Sequence, residues 1–103
     1  MLARKVRLSQ RAIDDLLSMY EYIADDDPIA ANRLLRQINA KIESIARSGF
    51  SGSPRDWLLA GLKAVPYRNR CIYFLLEENN IHVVRILHGR QDIAPEDFTE
   101  SSI

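Results

Sequence analysis

The sequence has a single cysteine, no excess of either charge and no long apolar run, and each shortage removes a class of protein. Cys71 has no second cysteine for an internal disulfide, and its place inside an apolar run predicts a small packing residue rather than a reactive thiol. Lys and Arg number 14 against 14 Asp and Glu, so no global field draws the chain onto nucleic acid or an anionic membrane. No apolar run approaches the ~20 residues that span a bilayer, and the start MLARKVRLSQ has no apolar signal core. A cytoplasmic protein without membrane association is therefore expected. A phosphate-cradling Gly loop, a nucleophile elbow, a paired-Cys zinc knuckle, internal repeats and low-complexity segments are also missing. No cofactor and no metal site are expected.

What is present reads as one domain. At 103 residues the chain supports one core and is too short for two. Lys5–Leu8 alternates as a short strand, and Ser9 offers an N-cap for a helix over Gln10–Ala24. Ile13, Leu16, Leu17, Tyr20, Ile23 and Ala24 form its predicted apolar stripe. Asp25-Asp26-Asp27-Pro28 ends that helix and starts another: Asp27 is placed to cap, Pro28 suits the first helical position, and carboxylates favour a helix N-terminus. This ordinary role outweighs metal binding by the acidic run, because no further ligands follow at a loop-like spacing. The second helix, about Pro28–Arg47, carries Ala31, Leu34, Leu35, Ile38, Ile42, Ile45 and Ala46 inward, with Gly49 as its stop.

Gly49–Asp56 is turn-rich, a passive crossover or a binding loop, and Trp57-Leu58-Leu59 is expected to anchor the chain on the core. Leu62–Val65 reads as a strand that ends at Pro66, followed by a bend at Tyr67–Asn69. Arg70–Leu76 and Ile81–Leu87 are rich in β-branched and aromatic residues, and Glu77-Glu78-Asn79-Asn80 is read as the tight hairpin turn in which Asn accepts left-handed backbone. The resulting class is α+β, ordered β-α-α-β-β-β, with an antiparallel helix hairpin packed on one face of a small, mainly antiparallel sheet. The opposite face or an edge is left for function. Residues 1–92 form the domain, and 93–103 read as a loosely held tail.

The chemistry concentrates in the last hairpin. Arg85, in an otherwise apolar strand, demands a partner, either an acidic side chain such as Asp92 or Glu77 or a phosphate. By alternation Ile81, Val83, Arg85 and Leu87 share one face and His82, Val84, Ile86 and His88 the other. His82 and His88 stand about 20 Å apart along that strand, which excludes a shared metal. His88 at the strand end is either a proton carrier or a structural hydrogen bonder. Arg68 and Arg70 beside Tyr67 and Tyr73 make a basic, partly aromatic cluster of a kind that grips phosphates and stacks bases.

Taken together, Asp14-Asp15-Leu16 through Tyr22-Ile23-Ala24, Asp27-Pro28 with Ala30-Ala31, Gly61-Leu62-Lys63 and the closing Val84-Arg85-Ile86-Leu87-His88-Gly89-Arg90-Gln91-Asp92 resemble the ParE-like toxins of the RelE/ParE superfamily, from about Val6 to Asp92. The resemblance implies the toxin of a type II toxin–antitoxin module, neutralised by a cognate antitoxin in a hetero-oligomeric complex. ParE-like members inhibit DNA gyrase and are not enzymes, and no sequence-specific DNA binding by the toxin alone is implied. The RelE branch consists of ribosome-dependent mRNA endoribonucleases; membership there would give Arg68, Arg85 and His88 catalytic roles. A third possibility is a non-toxic module that only binds an antitoxin. The long helix hairpin, the ILHGRQD ending and the thin Lys/Arg supply in the loop region lean to ParE. Tyr67, Arg68, Arg70, Arg85, His88 and Arg90 are the candidates for target or antitoxin binding.

Overall fold

Ser9 shows how the first strand is turned into the first helix. Its side chain accepts from the Ala12 amide at 3.0 Å and donates to the Val84 carbonyl at 2.6 Å, while its own amide donates to Val83 O at 3.0 Å. One small polar residue thus caps a helix and ties its start to the sheet. In the computed structural model, which describes residues 4–49, 52–89 and 92–99, the elements run β1 (Lys5–Leu8), α1 (Gln10–Ala24), α2 (Pro28–Ser48), β2 (Ser53–Pro54), β3 (Leu62–Tyr67), β4 (Arg70–Leu76) and β5 (Asn80–His88), then a short 3-10 turn at Pro95–Phe98. Asp27 caps α2 through Ala30 N at 3.1 Å, and Gly49 ends it in the left-handed conformation at φ 70°.

The sheet order is β1-β5-β4-β3-β2, with β1 parallel to β5 and the other pairs antiparallel. The mainly antiparallel α+β class holds, with the two-residue β2 as an unexpected edge. β3 runs on through Pro66, which lies opposite Cys71 where β2 no longer flanks the strand, so its missing amide donor costs no ladder bond. Among the described residues the left-handed ones other than glycine are Arg68 (φ 51°) and Asn69 (φ 65°), which close the β3–β4 hairpin. The turn at 77–80 was expected to need that backbone; instead Glu77 N donates to Asn80 O at 2.8 Å, and neither Asn has positive φ.

A β-bulge corrects the expected face assignment of β5. Tyr73 pairs with Arg85 but Phe74 pairs with Val83, so Val84 is an extra residue. Beyond it the alternation shifts: Ile81, Val83 and Ile86 pack on the helix side with Ala12, Leu16 and Ile42. Val84 and Leu87 enter a second cluster with Leu58, Leu62, Tyr73 and Phe98 on the other side.

That second cluster overturns three expectations. The face away from the helices is covered rather than free. Phe98, in the segment read as a loose tail, is 1% exposed and meets the Tyr73 ring edge-on at 4.8 Å. Leu58 does the anchoring, whereas Trp57 is 63% exposed. On α1 the buried residues are Ala12, Leu16 and Met19, while Leu17 is 55% exposed and Ile13 borders solvent. The helix is rotated away from the predicted stripe because small Ala12 lets it approach the sheet closely; its leftover apolar side, Ile13, Leu17 and Tyr20, lines an open groove with Leu35.

Candidate functional site

Arg85 is held rather than offered. Its Nε and Nη2 donate to the two oxygens of Asp15 at 2.8 Å each, and its Nη1 donates to the Asp97 carbonyl at 2.9 Å. The same Asp15 carboxylate accepts from the Ile86 amide at 3.0 Å. β1 stops at Leu8, opposite Val83, so from Val84 onward β5 has an unpaired edge. Asp15 on α1 fills the gap left by the missing strand and collects a guanidinium and an amide at once. The hydrogen bonds that Arg85 donates to Asp15 raise its pKa above the ordinary value, against the opposing effect of burial. An acidic partner for Arg85 was expected at Asp92 or Glu77; it lies on the first helix instead.

His88 shares the helix side of β5 with Ile86 and stands opposite Arg70 in the ladder. The bulge precedes Arg85, so it leaves Arg85 and His88 on opposite sides of the strand. Arg70 and His88 line a cleft of about 540 Å³ whose far wall is Asp15, Ser18, Met19 and Tyr22 of α1. Gly89 N donates to Asn69 O at 2.9 Å and fastens the end of β5 to the hairpin turn.

At that turn the Arg68 guanidinium lies 5.7 Å from the Tyr67 ring centre, and Lys41 Nζ of α2 approaches the same ring at 6.0 Å. A second cleft of about 510 Å³ opens beside it, lined by Arg68 and Arg70 of the hairpin and by Arg33, Leu34 and Gln37 of α2, with Ile23 and Ala30. Tyr67, Arg68, Arg70 and His88 are thus at one end of the molecule, Arg85 is set apart by its ion pair, and Arg90 lies outside the described residues. Arg33, Gln37 and Tyr22 were missed from the sequence. Arg33 and Gln37 are polar-face helix positions with no signal of their own, and Tyr22 reads only as part of a family motif; the end of the hairpin beside them gives them their place in the clefts.

The Cys71 thiol and Tyr73 belong to the covered face. Burial raises the thiol's pKa, with a partly compensating hydrogen bond to Tyr73; burial, then that same bond, pushes the Tyr73 phenol up to about 12. Neither is prepared as a nucleophile. Among the described residues no three His, Cys, Asp or Glu side chains converge, and no helix is long and apolar enough to cross a membrane.

The fold is thus a helix hairpin on a bulged five-stranded sheet, with two charged clefts beside the β3–β4 hairpin end. Residues 6–93 match the ParE toxin of type II toxin-antitoxin system, parDE, and the chain belongs to that family. A relative from Sinorhizobium fredii (strain NBRC 101917 / NGR234), Y4kP, whose name marks it provisionally as a toxin, is 26% identical over 98 residues, covering 88% of this chain and 94% of its own. Two solved structures share the fold. The chromosomal ParDE system from P. aeruginosa superposes with a TM-score of 0.69 at 16% identity, covering 84% of this chain and 96% of that one. The toxin–antitoxin complex RelBE2 from Mycobacterium tuberculosis gives 0.65 at 18% identity, covering 84% and 99%.

Proposed function

We propose that this type II toxin stops replication by binding DNA gyrase, and that a cognate antitoxin neutralises it by occupying the same end of the molecule. The observation that carries this reading is the Arg85–Asp15 pair. A ribonuclease needs an arginine whose donors are free to meet the phosphate as charge develops on it. Here three donors of Arg85 already bind Asp15 and Asp97. Arg68 projects from a hairpin turn, and His88 is across the strand from Arg85, so the trio that RNA cleavage would employ is dispersed. Membership of the ParE family supports the same choice.

One observation keeps a ribonuclease reading in view: Arg70 and His88 face one cleft with Tyr22, an arrangement with a cation and a proton carrier in reach of each other. A supercoiling assay with purified gyrase separates the two. Inhibition with accumulation of cleaved DNA, reversed by the antitoxin, is the expected result. Undisturbed supercoiling together with loss of synthesis in a translation assay would refute the gyrase reading and transfer the chemistry to Arg70 and His88.

A further inference from the structure

The two clefts meet at Arg70, which belongs to both, and the neighbours Tyr22 and Ile23 line one each. The second is a trough lined by Arg33, Arg68 and Arg70 together with Ile23, Ala30, Leu34 and Gln37. Among the described residues no carboxylate pairs with Arg33, Arg68 or Arg70. No acidic side chain lines the trough, and Asp15 in the neighbouring cleft is neutralised by Arg85. Three guanidinium groups therefore border a common space with their charge uncompensated, and Ile23 and Leu34 add apolar surface to the same lining.

We propose that this trough binds an extended acidic peptide segment of a partner protein, its carboxylates pairing with Arg33, Arg68 and Arg70 and its intervening apolar side chains resting on Tyr22, Ile23 and Leu34. Guanidinium forks match carboxylates and phosphates alike, so the choice rests on the rest of the lining. A nucleic-acid backbone presents charge at every step and has no use for an apolar floor. Asp27, whose side chain caps α2 at Ala30 on the trough's lining, sets negative charge beside it, which a polyanion meets with charge at every step and a peptide with acids at intervals avoids. The chain's zero net charge supplies no field to gather a polyanion, whereas short-range pairing in a partly desolvated trough needs none. Tyr22, 82% exposed and the chain neighbour of Ile23 on the lining, is a large amphipathic side chain suited to cover a peptide backbone.

The binding assay contains neither gyrase nor ribosomes, so its outcome is independent of the target proposed above. The full-length protein is titrated into a labelled short peptide with Glu alternating with Leu or Ala, followed by fluorescence anisotropy. The same peptide with Gln for Glu and a single-stranded oligonucleotide of equal charge are run alongside. Arg33→Glu and Arg70→Glu are expected to weaken the acidic peptide by about tenfold or more each, the scale of one lost charge-assisted contact. Arg36→Glu makes the same change in net charge on the exposed side of α2, outside both clefts, and is expected to leave binding within about twofold. Arg33 is an exposed helix residue, so its variant folds even if Arg70→Glu disturbs the sheet. Absence of peptide binding, equal binding of the Gln peptide, equal loss in Arg36→Glu, or tighter binding of the oligonucleotide through the same arginines would each overturn the proposal.

Discussion

Replacing Asp15 by Ala removes more than one side chain's worth of interaction. It leaves the Arg85 charge with only the Asp97 carbonyl and strips the Ile86 amide of its acceptor. Breaking a buried ion pair from one side costs about 3–5 kcal/mol. The two side chains retain 12% and 13% exposure, which places this pair at the low end, near about 3 kcal/mol with the amide included. On a domain of this size the melting temperature falls by about 15 °C. Asp15→Asn keeps an oxygen for the Ile86 amide and is expected to lose about half as much. Equilibrium urea unfolding measures both. The double variant Asp15→Ala/Arg85→Met removes both charges, and its loss is expected to fall short of the sum of the single losses by about 1–3 kcal/mol. A loss under about 0.5 kcal/mol in Asp15→Ala, as for a solvated surface pair, or strict additivity in the cycle, would refute the assignment of Asp15 as the cap of the β5 edge.

Two further outcomes follow from the covered sheet face. Phe98→Ala empties a site that is 1% exposed and is expected to cost about 3 kcal/mol in the same unfolding experiment; a change near zero would restore the loose-tail reading. Ultraviolet titration of the folded protein is expected to show one tyrosine ionising near 12, absent in Tyr73→Phe. Since the folded value lies above the ordinary 10.0, the stability Tyr73 contributes is complete below about pH 10 and declines as the pH climbs from there through 12; a flat stability over that window in the wild type would contradict the burial of the phenol.

The element types were legible because each has a local cause. Ser9 and Asp27 cap their helices with their own side chains, Gly49 accepts the left-handed stop, and the β-branched run of β5 has few alternatives to a strand. Local rules failed where neighbours decide. Strict alternation placed Arg85 with Ile81 and Val83, but Val84 is inserted, and only pairing against Tyr73 and Phe74 reveals it. The α1 stripe was misread because Ile13 and Leu17 are as apolar as a core requires, yet the sheet lies on the Ala12 side. Tyr67, Arg68, Arg70 and His88 stand out by their chemistry near a hairpin end and by the family resemblance, but the clefts that Arg68, Arg70 and His88 line are completed by Arg33 and Tyr22, distant in sequence.

The sequence by itself determined the α+β class, the order of the main elements short of β2 and the Pro95–Phe98 turn, the helix limits and the family, since caps and periodicity act within a few residues and survive without knowledge of the partner strand. Tertiary structure alone decided which arginines are spent and which are available. Asp15 and Arg85 are separated by 70 residues, and the bulge, the early end of β1 and the rotation of α1 together bring the carboxylate to that guanidinium. The same geometry leaves Arg33, Arg68 and Arg70 facing open space, because charge compensation depends on distance through the fold and not on position along the chain.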